Sequence, residues 1–326
     1  MAKKLIVIAG ATGNQGSAIA RGLIKTGDWH IRAVTRNVNG EKAKKLAAEG
    51  MEVVQGDYND EESMRKAFDG AQAIFAVTNW WDGLFRGHSL TEAGDIEHAQ
   101  GIMLAKLASQ VNTLEHYIWS TLPNGEKITE GRIPVPHFDY KARVDDYIKE
   151  TLPELAAKTT FLMFGFYPSN LAFFSMLKPV PVNNAPGKYV WMLPAPPSTL
   201  YPMAGDMSKD PGVWARQILA NPKLSHGKYA AVCTEVLSLG EVLATWSEVS
   251  GKQGIYVEIK DHILGDLFGV PGEEFLTGVK FGVEVPDWWV QAKKQGLFLT
   301  MEDLGISRDE VSGLRQSLEA VKEFLG

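Results

Sequence analysis

The residues with the most chemistry in them are Gly10-Ala11-Thr12-Gly13-Asn14-Gln15-Gly16. Each glycine has a separate physical role. Gly10 permits a tight turn, Gly13 lets a phosphate approach bare backbone, and Gly16 allows a helix to pack closely on a sheet. A helix starting near Asn14 points free N–H groups and its positive dipole end at those phosphates. The spacing is G-x-x-G-x-x-G rather than G-x-G-x-x-G, so its place after an apolar run and before a helix carries the argument. Further on, Thr35-Arg36 ends a second apolar run, with no acidic residue where ribose hydroxyls would be bonded. A guanidinium there can pair bidentately with a 2′-phosphate and stack on adenine. The expected ligand is a dinucleotide, NADP(H) in preference to NAD(H); Lys42, Lys44 and Lys45 follow soon after, as further cations or as a solvated helix face, the latter expected for Lys44.

These residues need a scaffold, and the first half of the chain supplies one. Strand-like runs at 4–9, 30–36, 51–55, 71–78, 116–121 and 159–164 alternate with helix-like stretches at 17–26, 61–68, 97–111 and 138–149. Asn59 or Asp60 is suited to cap the second of these helices. Such alternation predicts an α/β fold with a doubly wound parallel sheet and right-handed crossovers. After Phe164 the pattern changes, with prolines at 179, 181, 186, 194, 196, 197, 202 and 211. Strands at 188–193, 228–233 and 255–259 and helices at 210–220, 239–250 and 308–325 are expected there. The division predicted is a nucleotide-binding domain over 1–165 and a smaller, mainly α+β lobe over 166–326, some of whose segments return to the sheet. Substrate would lie in the cleft between them.

Composition bounds the function. The chain has 326 residues, 33 Lys and Arg against 39 Asp and Glu, and a formal net charge of −6. With no basic tract, direct binding of nucleic acid is not expected. The single cysteine, Cys233, excludes an internal disulfide and fits a reducing compartment. No signal-peptide pattern or membrane-length apolar run is present, so a cytoplasmic protein is the expectation. The histidines are scattered without metal-ligand spacing, and no metal is expected.

The glycine turn with Arg36, then Gly56-Asp57, then His137-Phe138-Asp139-Tyr140-Lys141 with Val144 and Tyr147, resembles the NmrA-like group of atypical short-chain dehydrogenases. The resemblance spans nearly the whole chain. It implies a Rossmann domain, NADP(H) binding and a variable C-terminal lobe. It also implies residue roles. Gly10, Thr12, Gly13, Asn14, Gln15 and Gly16 match the phosphate loop, and Arg36 the 2′-phosphate reader. Asp57 and Tyr58 match positions beside adenine. Ala76, Val77 and Thr78 match positions near the ribose, and Lys141 the lysine that bonds the nicotinamide ribose. Phe164, Phe166, Tyr167 and Asn170 match the strand end beside the nicotinamide ring.

Short-chain dehydrogenases place a Tyr four residues before the Lys; here that position is His137, and Tyr140 lies about 100° away around the helix. The Tyr-Lys pair is therefore missing. His137 has the right offset and a suitable ring for proton transfer. Ser120, with Thr121 beside it, matches a substrate-orienting serine, Lys141 could polarise a carbonyl, and Tyr167 is a further proton donor candidate. The segment 79–85, read as a loop, puts Trp80, Trp81 and Phe85 where a planar substrate could stack, with Phe166 opposite. Two functions are expected from this set. One is NADPH-dependent reduction of a small apolar, aromatic carbonyl, enone or quinone compound, which the resemblance associates with secondary metabolism. The other is a catalytically silent NADP(H) sensor that binds a protein partner. A homodimer is left open.

Overall fold

In the computed structural model, which describes residues 3–326, the apolar runs become strands of one sheet, whose central strands are buried on both faces. β1 (Lys4–Ala9), β2 (Trp29–Thr35), β3 (Glu52–Gln55), β4 (Ala73–Ala76), β5 (His116–Thr121) and β6 (Thr159–Phe164) are joined by a seventh strand, Tyr229–Val232. Every pairing is parallel, and the order across the sheet is 229–232, β6, β5, β4, β1, β2, β3. Strand alternation splits β1 between two cores. Ile6 and Ile8 pack with Ile19, Leu23 and Trp214 on one face, while Val7 and Ala9 pack with Met64, Phe68 and Leu104 on the other. Each fully buried side chain of this size contributes about 1.5–3 kcal/mol.

Helices cover both faces: α1 (Asn14–Ile24), α2 (Glu41–Ala48), α3 (Glu61–Phe68), α4 (Trp80–Phe85), α5 (Leu90–Ser109), α6 (Gly125–Ile128) and α7 (Pro136–Thr151). Asp60 caps α3 as its sequence suggests, accepting from the N–H groups of Glu62 and Ser63. α1 crosses the helix Asp210–Ala220 so closely that a Cβ on Gly22 would lie 2.7 Å from the Cα of Gly212. Only paired glycines allow that approach.

The remaining elements surround a third core of Trp191, Leu193, Val242, Trp246 and Leu318. A three-stranded sheet (Val180–Pro181, Lys188–Leu193, Gln253–Glu258) and a two-stranded one (Leu200–Met203, Glu235–Ser238) frame it, with the helix Leu239–Ser250 alongside. Several features depart from the sequence expectations. α5 begins at Leu90, not near 97, because Ser89 and Glu92 form a capping box. The tail helix shrinks to Leu314–Glu319 and a 3-10 turn at Lys322–Phe324, since Gly313 sits in extended conformation at its start. Helices His262–Phe268, Val270–Glu284 and Trp288–Lys294 fill a stretch to which the sequence reading assigns no element.

Candidate functional site

The strand order reverses between β1 and β4, so the crossovers leave those two strands in opposite directions and open a crevice at their C-terminal ends. A cavity of about 700 Å³ occupies it. One end is polar and lies over the glycine turn; the other is apolar and runs under the C-terminal lobe.

At the polar end, Gly10 has φ +83°, and a Cβ on it would lie 2.8 Å from Val77 Cγ1. Gly16 packs on the turn itself: its Cβ would lie 2.3 Å from the Gly10 carbonyl oxygen. Gly13 is different. A Cβ there meets only that same oxygen, at 3.3 Å, so its bareness serves the space in front of the turn. Gly13 also caps α1 without any side chain, and no acidic residue lies in the helix's first turn. An uncapped, acid-free helix start facing a cavity is suited to phosphate. Arg36 lies at the rim with Nη1 3.2 Å from Asp82 Oδ2. These features fit a phosphorylated dinucleotide on structural grounds alone.

Thr12, Asn14, Gln15, Asp57, Tyr58, Val77, Thr78, Phe164, Tyr167 and Asn170 all border the same space. Tyr58 donates to the Val77 carbonyl at 3.0 Å, and burial pushes its phenol upward against the pull of Arg36. Gln15 Nε2 donates to the Tyr167 hydroxyl at 2.6 Å, and burial pushes that phenol up to about 12. Tyr167 is thus a poor proton donor and a good brace for the phosphate loop. Lys42, Lys44 and Lys45 point to solvent and do not line the cavity.

Lys141, on α7, is held from three directions. Its Nζ donates to Glu97 Oε1 at 2.7 Å, to Thr78 Oγ1 at 2.8 Å and to the Thr78 carbonyl at 3.2 Å. Glu97 comes from α5, is 2% exposed and leaves Oε2 without a protein partner. Glu97 escaped the sequence reading. It is the lone acid in the buried stripe of Ala93, Gly101, Leu104 and Ala108, and that position was its signal.

His137 occupies the first turn of α7. Its Nδ1 lies 2.6 Å from Glu274 Oε1, which also accepts from the His137 backbone N–H at 2.8 Å. Glu274 belongs to the helix Val270–Glu284 and is entirely buried. Ser120 lies at the end of β5 on the cavity wall, while the hydroxyl of Thr121 turns away to Asp145 at 2.9 Å. Thr121 borders the same space, with its hydroxyl engaged by Asp145.

The aromatic segment needs correction. Residues 80–85 form a helix, not a loop; Trp81 and Phe85, one turn apart, stack at 6.1 Å between centroids, while Trp80 is turned to another face. Trp81 faces the cavity and meets Phe174 edge-on at 5.1 Å. Trp80 touches the rim, but its indole is buried against Tyr140 at 5.4 Å. Phe85 is 61% exposed and does not line the cavity. Ala76 is likewise displaced from the expected set, its methyl group packed in the core behind β4. Phe166 lies on the wall, packed edge-on against Tyr201. Phe275, Phe281 and Trp289, from helices the sequence did not announce, complete the apolar end. Among the described residues no His, Cys, Asp and Glu cluster could hold a metal ion, and no helix is long and apolar enough to cross a membrane.

Known proteins resemble this chain in sequence and fold. A model of the NmrA-like family matches residues 2–284. The NmrA-like family domain-containing oxidoreductase hkm9 of Aspergillus hancockii is 27% identical over 288 residues, covering 86% of this chain and 82% of its own. The crystal structure of NmrA, a negative transcriptional regulator, in complex with NADP superposes with a TM-score of 0.73 at 24% identity, over 99% of this chain and 96% of that one. The NADPH complex of quinone oxidoreductase QOR2 from Escherichia coli superposes with a TM-score of 0.67 at 19% identity, over 97% and 99%.

Proposed function

This chain belongs to the NmrA-like family, and from that premise we propose that it binds NADP(H) and reduces a small, planar, apolar carbonyl, enone or quinone compound. The observation that carries the reading is the open apolar half of the cavity. Trp80 and Phe166, the two rings able to plug it, are instead packed against Tyr140 and Tyr201. Space therefore remains beside the position expected for a nicotinamide ring. The names of hkm9, an oxidoreductase, and QOR2, an NADPH-dependent quinone oxidoreductase, point the same way.

When bound, NADPH would supply the hydride. The protein's part is to hold and exclude. The bare turn at Gly10 and Gly13 and the start of α1 cradle the pyrophosphate. Arg36 reads the 2′-phosphate. Lys141, fixed by Glu97 and Thr78, orients the ribose on the nicotinamide side. Trp81, Phe174 and Phe281 sandwich the substrate ring and keep water from the reacting carbon. Ser120 bonds the substrate oxygen. Loss of reduced-nicotinamide absorbance with quinones, enones and aromatic ketones tests the reading, and silence across the whole panel would overturn it.

A sensing role is the second reading. It is supported by the absent tyrosine and by NmrA's description as a transcriptional regulator. It requires a partner whose affinity differs between cofactor-bound and free states.

A further inference from the structure

We propose that Glu274 is a positioning residue that aims His137 as the proton donor to the substrate, an inference that rests on the reductase reading. A buried carboxylate is expensive, and an apolar residue of like volume would serve packing better. Glu274 is nonetheless wholly buried, with Oε1 on His137 and Oε2 unpartnered. If Glu274 served only to cap α7, one contact to the backbone N–H would suffice. The second contact, 2.6 Å to Nδ1, does something a cap does not: it holds the ring in one tautomer and one plane. With Nδ1–H committed to the carboxylate, Nε2 is left for the cavity.

The surroundings keep it there. Phe138 and Trp81 flank the imidazole at 4.5 and 5.5 Å between ring centroids. One turn beyond Glu274 on the same helix, Gly278 leaves the Nε2 edge uncovered; a Cβ built there would lie 3.4 Å from Cε1 and 3.9 Å from Nε2. Glu274 is the charged group in contact with the ring, and Lys141 lies one turn further along α7. His137 thus stands where the missing tyrosine would, with a carboxylate from the other lobe behind it.

The step balances as follows. With NADPH bound, a C–H bond would form at the electrophilic carbon as a C–H bond of the reduced nicotinamide breaks and that ring is oxidised, and the π pair would move to the substrate oxygen. That oxygen takes the proton from Nε2 of the imidazolium. The ring becomes neutral with Nδ1–H still on Glu274, and solvent returns one proton to Nε2. The ligand class is a planar ketone or conjugated enone whose reduction leaves charge on oxygen.

Two measurements on the full chain decide the matter. Ring nitrogen-15 NMR, with the His137 signals identified by their loss in H137Q, should show neutral His137 protonated at Nδ1 and bare at Nε2, and E274Q should disturb that preference. An Nε2-protonated ring in the wild type, or a ring indifferent to E274Q, would overturn the proposal. In turnover of a ketone or enone, H137Q should lower kcat about 10²- to 10⁴-fold with little change in KM. E274Q should lower kcat roughly tenfold or more and move the alkaline limb of the pH–rate profile, and E274D should recover part of the loss. Variants that lose only thermal stability, with kcat per folded molecule and pH profile unchanged, would reduce Glu274 to a helix cap. No turnover by the wild type would sink the reductase reading itself, whereas an unoriented ring alongside normal turnover would sink only the pairing.

Discussion

Arg36 Nη1 lies 3.2 Å from Asp82 Oδ2, so the guanidinium expected to read a 2′-phosphate is paired with a carboxylate on the helix that carries Trp81. Arg86 shares the same carboxylate oxygen at 3.1 Å. Phosphate and Asp82 would compete for one guanidinium. Both side chains of the pair are substantially exposed, which puts the interaction at roughly 0–1 kcal/mol. D82N should therefore tighten NADP binding by up to about fivefold, most at low salt, and leave NAD binding unchanged. Calorimetry with both cofactors at two ionic strengths measures this; equal tightening of the two would remove Asp82 from any role in selectivity.

Removing the guanidinium should act in the opposite direction. R36A should weaken NADPH by about 1.5–3 kcal/mol, the range for a hydrogen bond to a charged group, and hardly touch NADH. The residue is at the cavity rim and half-exposed, so unfolding temperature should stay near that of the wild type. Parallel losses for both cofactors would show that the 2′-phosphate is read elsewhere.

The glycine turn offers a separation of folding from binding. At Gly16 an added Cβ would lie 2.3 Å from the Gly10 carbonyl oxygen and 2.9 Å from Ala11 Cα, all rigid backbone. G16A should cost about 1–3 kcal/mol of stability as an overpacked site, along with cofactor affinity. At Gly13 the nearest atom is at 3.3 Å and φ is an ordinary −83°. G13V should therefore melt near the wild-type temperature while losing NADP binding. If both variants melt alike, the close approach at Gly16 is not what the turn depends on.

These contrasts also mark how far the residue pattern could be read. β5, β6 and α3 end where their apolar spacing says, because strands buried on both faces and a capped amphipathic helix leave local signals. Part of the polar half was legible for the same reason: Gly10, Thr12, Gly13, Asn14 and Gln15 sit in one local turn. The apolar half was not. Phe275, Phe281 and Glu274 lie more than 130 residues from His137 and reach it only through tertiary packing. Their helix starts at Val270, between Gly269 and Pro271, and a glycine and a proline so close together read as loop. Phe85 was misjudged because it lies one helical turn beyond Trp81, stacked on it but past the cavity, a step along the axis that cannot be seen when the segment is taken as loop. Glu97 was visible as an acid on an apolar stripe but lacked a named partner.

The Lys141–Glu97 pair makes simple loss-of-function data ambiguous, and a double variant resolves it. Both side chains are buried, so K141M leaves the Glu97 carboxylate with only the Thr78 hydroxyl at 2.9 Å. Breaking a buried pair from one side typically costs about 3–5 kcal/mol, whereas replacing both partners is often nearly neutral. K141M should therefore be markedly destabilised, and K141M/E97L should regain most of that stability. If Lys141 also orients the cofactor, the double variant should remain weak in NADPH turnover despite folding well. Denaturation midpoints with turnover normalised to folded protein separate the two effects; recovery of both together would confine Lys141 to structure.

Asp145 gives a pH signature of the core between α7 and the sheet. Its carboxylate accepts from Trp119 Nε1, Thr121 Oγ1 and Tyr229 OH, each at 2.9 Å. Burial nevertheless raises its pKa from 3.8 to about 7, outweighing those hydrogen bonds. In the unfolded chain the carboxyl loses its proton near the ordinary value, while the folded chain keeps it. The unfolded state therefore binds fewer protons between pH 3.8 and about 7, and stability falls as pH rises through that window. The contribution is fully present below the lower value and gone above the upper one. D145N does not titrate, so its stability relative to wild type should climb by an amount on the order of a few kcal/mol across the window and then level off. Urea unfolding of both proteins at intervals from acid to neutral pH follows that difference. A flat difference curve would mean that Asp145 is already ionised in the fold and that its three donors, rather than its burial, set its charge.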